Sequence, residues 1–163
     1  MKILILYFSM TGRTKRVAET IAEELSSFDL KIEQVKYNKK VKDLLKEQDS
    51  IKRGVLTDFS YSEEVIDLEY FDLIFFGTPT YGGLPPPIFE GFLEIAKNVN
   101  GKRFILFNTC RFIVGKTFER MQTKIEEKGG IVLNKGKFKG LFKINMKKVK
   151  KFIDNLKQEL IKS

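Results

Sequence analysis

The chain has 163 residues, enough for one domain with one core. Its hydrophobic fraction of 42% and its 15 phenylalanines are too high for a disordered chain. The absence of histidine excludes Ser-His and Cys-His nucleophile pairs and imidazole metal sites, and a single cysteine, Cys110, excludes an internal disulfide or a multi-cysteine metal site. No stretch reaches the ~18 to 20 apolar residues of a membrane span. The run Ile3 to Phe8 is too short for a signal-peptide core, so a cytoplasmic location is expected. The net charge of +9 is unevenly spread. Residues 1–100 carry 13 Lys and Arg against 16 Asp and Glu, a net of −3, and residues 101–163 carry 17 against 5, a net of +12. That excess reads either as a lysine-coated surface kept for solubility or as a docking face for an acidic partner.

Along the chain, strand and helix patterns alternate. Lys2–Phe8 is a continuous apolar run, as expected of a central parallel strand buried on both faces. After a turn at Ser9–Gly12, Val17, Ile21, Leu25 and Phe28 recur at helical spacing. Leu30 to Val35 alternates apolar and polar residues, which fits an edge-like strand. Val41, Leu44 and Leu45 suggest a helix to about Arg53, and Gly54 to Tyr70 reads as an irregular connection. A third strand is expected over Asp72–Gly77, then a Gly- and Pro-rich loop over Thr78–Pro87 and a helix that Pro87 opens, carrying Ile88, Phe92, Leu93 and Ile95. Arg103–Asn108 is a fourth strand. Phe118, Met121 and Ile125 mark a helix that Gly129-Gly130 ends, and Ile131-Val132-Leu133 begins a fifth strand. Val149, Phe152, Ile153, Leu156 and Leu160 mark a last amphipathic helix. Five strands alternating with helices imply an open, doubly wound α/β sheet.

Ligands in such a sheet bind beyond the carboxyl ends of its strands, where the strand order reverses. Three loops therefore matter. The first, Ser9-Met10-Thr11-Gly12-Arg13-Thr14, joins a buried strand to a helix N-terminus. Three hydroxyls and a glycine beside unpaired helix amides suit a phosphate, whereas ordinary N-capping would occupy only one hydroxyl. The second is Gly77-Thr78-Pro79-Thr80-Tyr81-Gly82-Gly83 with Leu84 and three prolines behind it. The third is Asn108-Thr109-Cys110-Arg111-Phe112-Ile113-Val114-Gly115.

The first loop resembles the phosphate loop of flavodoxins, S/T-x-T-G-x-T before an apolar helix. Ser9, Thr11, Gly12 and Thr14 match position by position, with Met10 and Arg13 in the variable places. Gly-Thr-Pro-Thr-Tyr-Gly, residues 77–82, looks like the flavodoxin segment that runs along the flavin ring. The resemblance covers nearly the whole chain in element order, with its specific motifs confined to these two loops. It implies a three-layer, doubly wound flavodoxin-like fold, a five-stranded parallel sheet in the order 2-1-3-4-5, and one flavin mononucleotide (FMN) bound in a single domain, 1–163. The lack of a long insertion in the fifth strand implies a short-chain member.

By the same resemblance, Thr78 and Tyr81 contact the ring or ribityl chain, with Pro79 and Thr80 beside them. A carbonyl near Gly82-Gly83 turns toward flavin N5 on reduction. Phe112 covers the other side of the ring, with Thr109 and Gly115 shaping the loop. Phe112-Ile113-Val114 reads equally as a hydrophobic plug or a partner contact. Cys110 with Lys116-Thr117 forms C-x5-K-T, which lacks the arginine of a cysteine-phosphatase loop, so a thiol beside the flavin or a partly buried one is the better reading. Arg111 and Lys116 put positive charge near the ring.

The function implied is an electron carrier working with a redox partner protein, without nucleic acid or a membrane span, as a monomer or weak dimer. An NAD(P)H-dependent quinone or flavin reductase is the alternative. Flavodoxins are acidic and dock on basic partners. The basic second half here departs from that pattern and points to an acidic partner.

Overall fold

A computed structural model of the chain describes residues 1–37, 59–62, 65–140 and 143–162. The strands are β1 (Lys2–Phe8), β2 (Asp29–Tyr37), β3 (Phe59–Ser60), β4 (Leu73–Pro79), β5 (Arg103–Cys110) and β6 (Ile131–Lys139). The helices are α1 (Arg13–Glu24), α2 (Ile88–Ile95), α3 (Thr117–Glu127) and α4 (Met146–Lys162), with a short 3-10 turn at Leu68–Tyr70. The helix expected between Val41 and Arg53 lies outside the described residues. The expected irregular connection, where it is described, contains β3 and the 3-10 turn.

The sheet order is β3-β2-β1-β4-β5-β6. β2, β1, β4, β5 and β6 run parallel, which is the expected order 2-1-3-4-5. The two-residue β3 adds an antiparallel edge by pairing Phe59 with Tyr37 and Ser60 with Lys36.

Side-chain alternation on the three inner strands divides the interior in two. Leu4, Leu6 and Phe8 of β1, Ile74 and Phe76 of β4, and Phe104 and Leu106 of β5 face α2 and α3. Ile3, Ile5 and Tyr7, Leu73 and Phe75, and Ile105 and Phe107 face α1 and α4. Each fully buried Leu, Ile or Phe contributes roughly 1.5–3 kcal/mol against conformational entropy. A continuous apolar run on a central strand is thus two alternating faces, each with its own core. Glu24 of α1 also takes Lys150 and Lys157 of α4 at 2.7 and 3.7 Å, and these cations hold its carboxyl below the usual range.

Three boundaries differ from the sequence expectation. Helix α1 ends at Glu24, and Phe28 lies beyond it, its amide bonded to the Leu25 carbonyl at 2.9 Å. β4 and β5 each run two residues farther than expected, so Thr78, Pro79, Thr109 and Cys110 are strand residues. In β6 the register slips between Phe104 and Ile105, leaving one extra residue opposite. The odd-numbered positions from Ile131 to Lys139 are all exposed, with Ile131 at 50% and Leu133 at 47%, while Gly136 and Phe138 face the core.

Gly77 sits inside β4, in register with Tyr7 and Phe107. A Cβ there would overlap the Phe107 ring, so the strand needs glycine for the close approach of that side chain. Gly77→Ala is expected to cost about 1–3 kcal/mol of stability in urea unfolding, with part of the loss recovered by Phe107→Leu. An unchanged midpoint for the single variant would show that the ring moves freely.

Candidate functional site

β1 is paired on both edges, to β2 on one side and β4 on the other, so the chain crosses over in opposite directions from it. The cleft opened by that reversal lies beyond the carboxyl ends of β1, β4 and β5. It is a cavity of about 470 Å³, within the range of small-molecule sites.

The first loop supplies Met10, Thr11, Arg13 and Thr14 to its lining. Gly12 is the N-cap of α1 with φ +78°, and no side chain caps that terminus. The N-capping explanation of the hydroxyls therefore does not apply. Thr14 Oγ1 lies 2.8 Å from Thr109 Oγ1, joining the first loop to β5. Arg13 Nη1 donates to the Gly140 carbonyl at 3.4 Å. Ser9 Oγ is buried with no hydrogen-bond partner, while the Ser9 carbonyl accepts from Gln34 Nε2 at 3.1 Å. A buried hydroxyl without a partner is uncommon, because its desolvation is uncompensated.

The second loop supplies Pro79, Thr80, Tyr81, Gly82 and Gly83. Tyr81 and Leu84 exchange both backbone hydrogen bonds, at 2.9 and 3.0 Å, across Gly82 (φ +56°) and Gly83 (φ +79°). Positive φ at both central positions is a type I′ turn, which favours glycine at both. The Tyr81 hydroxyl contacts Met10 Sδ, and burial pushes its phenol up to about 12.

The third loop supplies Thr109, Cys110, Arg111, Phe112 and Ile113. Phe112 is 67% exposed and Ile113 74% exposed. The Cys110 thiol is pushed up by burial, an effect partly opposed by Lys139 and Lys137. The second and third loops clasp each other: Lys116 N donates to the Gly83 carbonyl at 2.7 Å, and a Cβ on Gly115 would come within 2.5 Å of Gly83 Cα.

Four of the expected residues do not line the cavity: Ser9, Gly12, Thr78 and Gly115. Thr78, expected against a ligand, is in strand phase with Ile74 and Phe76. It is fully buried, with its hydroxyl 3.7 Å from Met121 Sδ. Gly115 acts through its contact with Gly83.

The buried network behind the loops was not anticipated. Asn108 Nδ2 donates to the Thr78 carbonyl at 2.8 Å, Thr80 Oγ1 donates to Asn108 Oδ1 at 3.0 Å, and Thr80 Oγ1 lies 2.9 Å from Thr117 Oγ1. An asparagine ending an otherwise apolar strand was its one sequence signal. None of the lining residues is acidic, and the described residues contain no cluster of metal-ligating side chains. The chemistry available is thus anion binding at the α1 end and contact with an apolar body near Met10, Tyr81, Phe112 and Ile113.

The family model described as Flavodoxin matches residues 2–156. No curated protein matches the chain. Among solved structures, a Bacteroides uniformis protein provisionally assigned as a flavoprotein is 26% identical, with a TM-score of 0.70, covering 94% of this chain and 97% of that one. A flavoprotein from Lactobacillus acidophilus NCFM, solved in complex with FMN, is 24% identical at a TM-score of 0.63, covering 83% and 92%. A flavodoxin from the domain Archaea is 20% identical at a TM-score of 0.61, covering 94% and 92%.

The Tyr81 phenol yields a pH prediction. In the unfolded chain it ionises near 10, and in the folded chain near 12, so the folded state keeps a proton that the unfolded state loses. Stability from this group is complete below about pH 10 and declines as pH rises toward 12. Burial also raises Tyr7 and Tyr61. Tyr81→Phe is therefore expected to flatten, without abolishing, the fall in urea midpoint as pH rises from about 10 toward 12. An unchanged slope would place the phenol in solvent.

Proposed function

The chain belongs to the flavodoxin family, and on that premise we propose that residues 1–163 form one FMN-binding domain that passes electrons between redox partners. The observation that carries this reading is the buried, unpartnered Ser9 hydroxyl beside an uncapped helix N-terminus. An anion there would satisfy the hydroxyl and meet the positive end of the α1 dipole. Thr11, Thr14 and the first-turn amides of α1 would hold the FMN phosphate, and Ser9, which stands behind the lining, would turn its unpartnered hydroxyl to it. A Cβ on Gly12 would meet nothing within 4 Å, so the approach to those amides is open.

When bound, FMN supplies the electron-accepting ring. Met10, Tyr81 and Phe112 offer it apolar contact, while Asn108, Thr80 and Thr117 hold the second and third loops in place. The turn hydrogen bonds belong to Tyr81 and Leu84, so the Gly82-Gly83 peptide can rotate between type I′ and type II′ without breaking them. That freedom supports a role for this peptide in responding to reduction of the ring. Among the described residues no helix is long and apolar enough to cross a membrane. The cation excess of residues 101–163 supports an acidic partner.

The purified protein should show flavin absorption at one FMN per chain. Ser9→Ala separates the phosphate role from a structural one, because the two give opposite signs. Losing a hydrogen bond to a charged group is expected to weaken FMN binding by about 1.5–3 kcal/mol, roughly 10- to 100-fold. Riboflavin affinity should hold, and the stability of the FMN-free protein should stay level or rise as an unsatisfied hydroxyl is removed. Equal weakening of both flavins would sink the assignment. Stopped-flow mixing with NADH and NADPH distinguishes a carrier, which reacts slowly, from a reductase, which reacts rapidly.

Arg111 lines the cavity and none of its lining neighbours is acidic. Reduction adds negative charge to the ring, which a nearby guanidinium favours. Arg111→Glu is expected to lower the potential of bound FMN by an amount on the order of 1 kcal/mol, after screening of an exposed side chain. A potential unmoved by the charge reversal would put Arg111 away from the ring.

A further inference from the structure

Four cations border the cavity on its β5–β6 side. Lys139 is in register with Cys110, a lining residue, and the amide of Gly140 bonds to the Cys110 carbonyl at 3.1 Å. Lys137 precedes it on the same face of β6, the face on which Lys135 reaches Gln122 of α3 at 2.5 Å. Arg111 belongs to the lining, and Lys116 is anchored through its amide to Gly83. All four side chains are exposed. Among the described residues none of them pairs with a carboxylate, whereas Lys15, Arg120, Lys124, Lys150 and Lys157 each do. The sequence supplies no neutralising charge nearby, since residues 128–153 contain nine lysines and no acid.

Beside these cations stand Ile113, 74% exposed, and Leu84, 46% exposed, next to Phe112, which the proposed function assigns to the flavin. Leu84 closes the turn whose Gly83 meets Gly115, so it lies on the same rim. Unpaired like charges repel, and together with uncovered apolar surface they disfavour the isolated protein. Both features become favourable against a surface with carboxylates around an apolar recess. That is the ordinary anatomy of a transient interface, with a small apolar centre and a polar border that steers the encounter.

We infer that this rim is the docking face for a carboxylate-rich redox protein, with Ile113 and Leu84 at its centre and Arg111, Lys116, Lys137 and Lys139 around them. The inference rests on the electron-transfer reading above. It is more specific than net charge, because it assigns the interaction to the β5–β6 side of the cavity and excludes the equally lysine-rich outer face of α4. A protein fits better than an anionic bilayer. A few short apolar side chains bury little area, and the amphipathic helix α4 already packs its apolar face on α1 and β6.

The test uses a small, acidic, reduced [2Fe–2S] ferredoxin as the probe, mixed in a stopped-flow cell with the FMN-loaded protein. One electron leaves the iron–sulfur centre, which is oxidised, and enters the flavin, which takes its proton from solvent. Lys137→Glu with Lys139→Glu is expected to slow flavin reduction about tenfold or more at low ionic strength, with the difference closing as salt rises. The matched change Lys148→Glu with Lys151→Glu on α4 should alter the rate less than about twofold. Amide NMR shifts on adding oxidised ferredoxin should concentrate at residues 111–116 and 137–139. That readout needs no flavin, so a colourless protein would sink the FMN reading while still deciding the docking face. Equal slowing by both pairs, no slowing, or shifts centred on α4 would overturn the inference. So would phosphatidylserine vesicles that bind the protein, and lose it in the 137/139 variant, while the ferredoxin does not.

Discussion

The structure depends first on the double burial of β1. This strand is hydrogen-bonded on both edges and covered on both faces, so every residue from Ile3 to Phe8 is buried and all but Tyr7 are aliphatic or Phe. The one polar side-chain atom in that run, the Tyr7 hydroxyl, donates to Gln34 Oε1 of β2 at 3.4 Å. Ser9 stands one step past the strand, where the chain turns into α1. Because β2 and β4 leave β1 in opposite directions, their connections part at that same point and leave the cleft open. The location of the cavity is therefore a consequence of how the core is built.

The cavity keeps its shape through contacts made behind its surface. Asn108, Thr80 and Thr117 join β4, β5 and the start of α3 by hydrogen bonds in a buried setting, where each bond is strengthened and each lost partner is costly. Gly83 and Gly115 let two loops approach at backbone distance, which any side chain at Gly115 would prevent. Thr14 and Thr109 tie the α1 end to β5. The lining residues Thr14, Thr80, Gly83 and Thr109 are thus held in place by one another and by Asn108, Gly115 and Thr117 behind them. Where the backing stops, at Phe112 and Ile113, the side chains stand in solvent.

Charge is distributed with the same division. Ion pairs such as Glu90 with Arg120, 2.8 Å apart, link α2 to α3, and Glu24 links α1 to α4. Among the described residues Arg111, Lys116, Lys137 and Lys139 take no part in such pairs, and the cavity lining has no acid. A reducible ring and an anionic phosphate both gain from that arrangement, and a protein surface rich in carboxylates gains from the same field at longer range. In the proposed reading, one electrostatic bias would serve both FMN binding and partner docking.

The sequence by itself determined the strand–helix alternation, the parallel order by way of the motifs, and the three loops that meet at the cavity. These were legible because burial on both faces forces continuous apolar runs, and because a phosphate site needs hydroxyls and glycine at set spacings beside a helix start. Only the tertiary structure decided which residues of those loops face the cavity. β4 runs two residues beyond Gly77, so Thr78 keeps the phase of Ile74 and Phe76 and turns into the core. In β6 the apolar Ile131 and Leu133 share the exposed face with Lys135, Lys137 and Lys139, while Phe138 packs inward. The Asn108 network and the Gly83–Gly115 contact join residues far apart in the chain, and the burial of the unpartnered Ser9 hydroxyl likewise depends on distant segments. Local spacing encodes which element forms, but not which distant atom will stand opposite a side chain once the sheet has assembled.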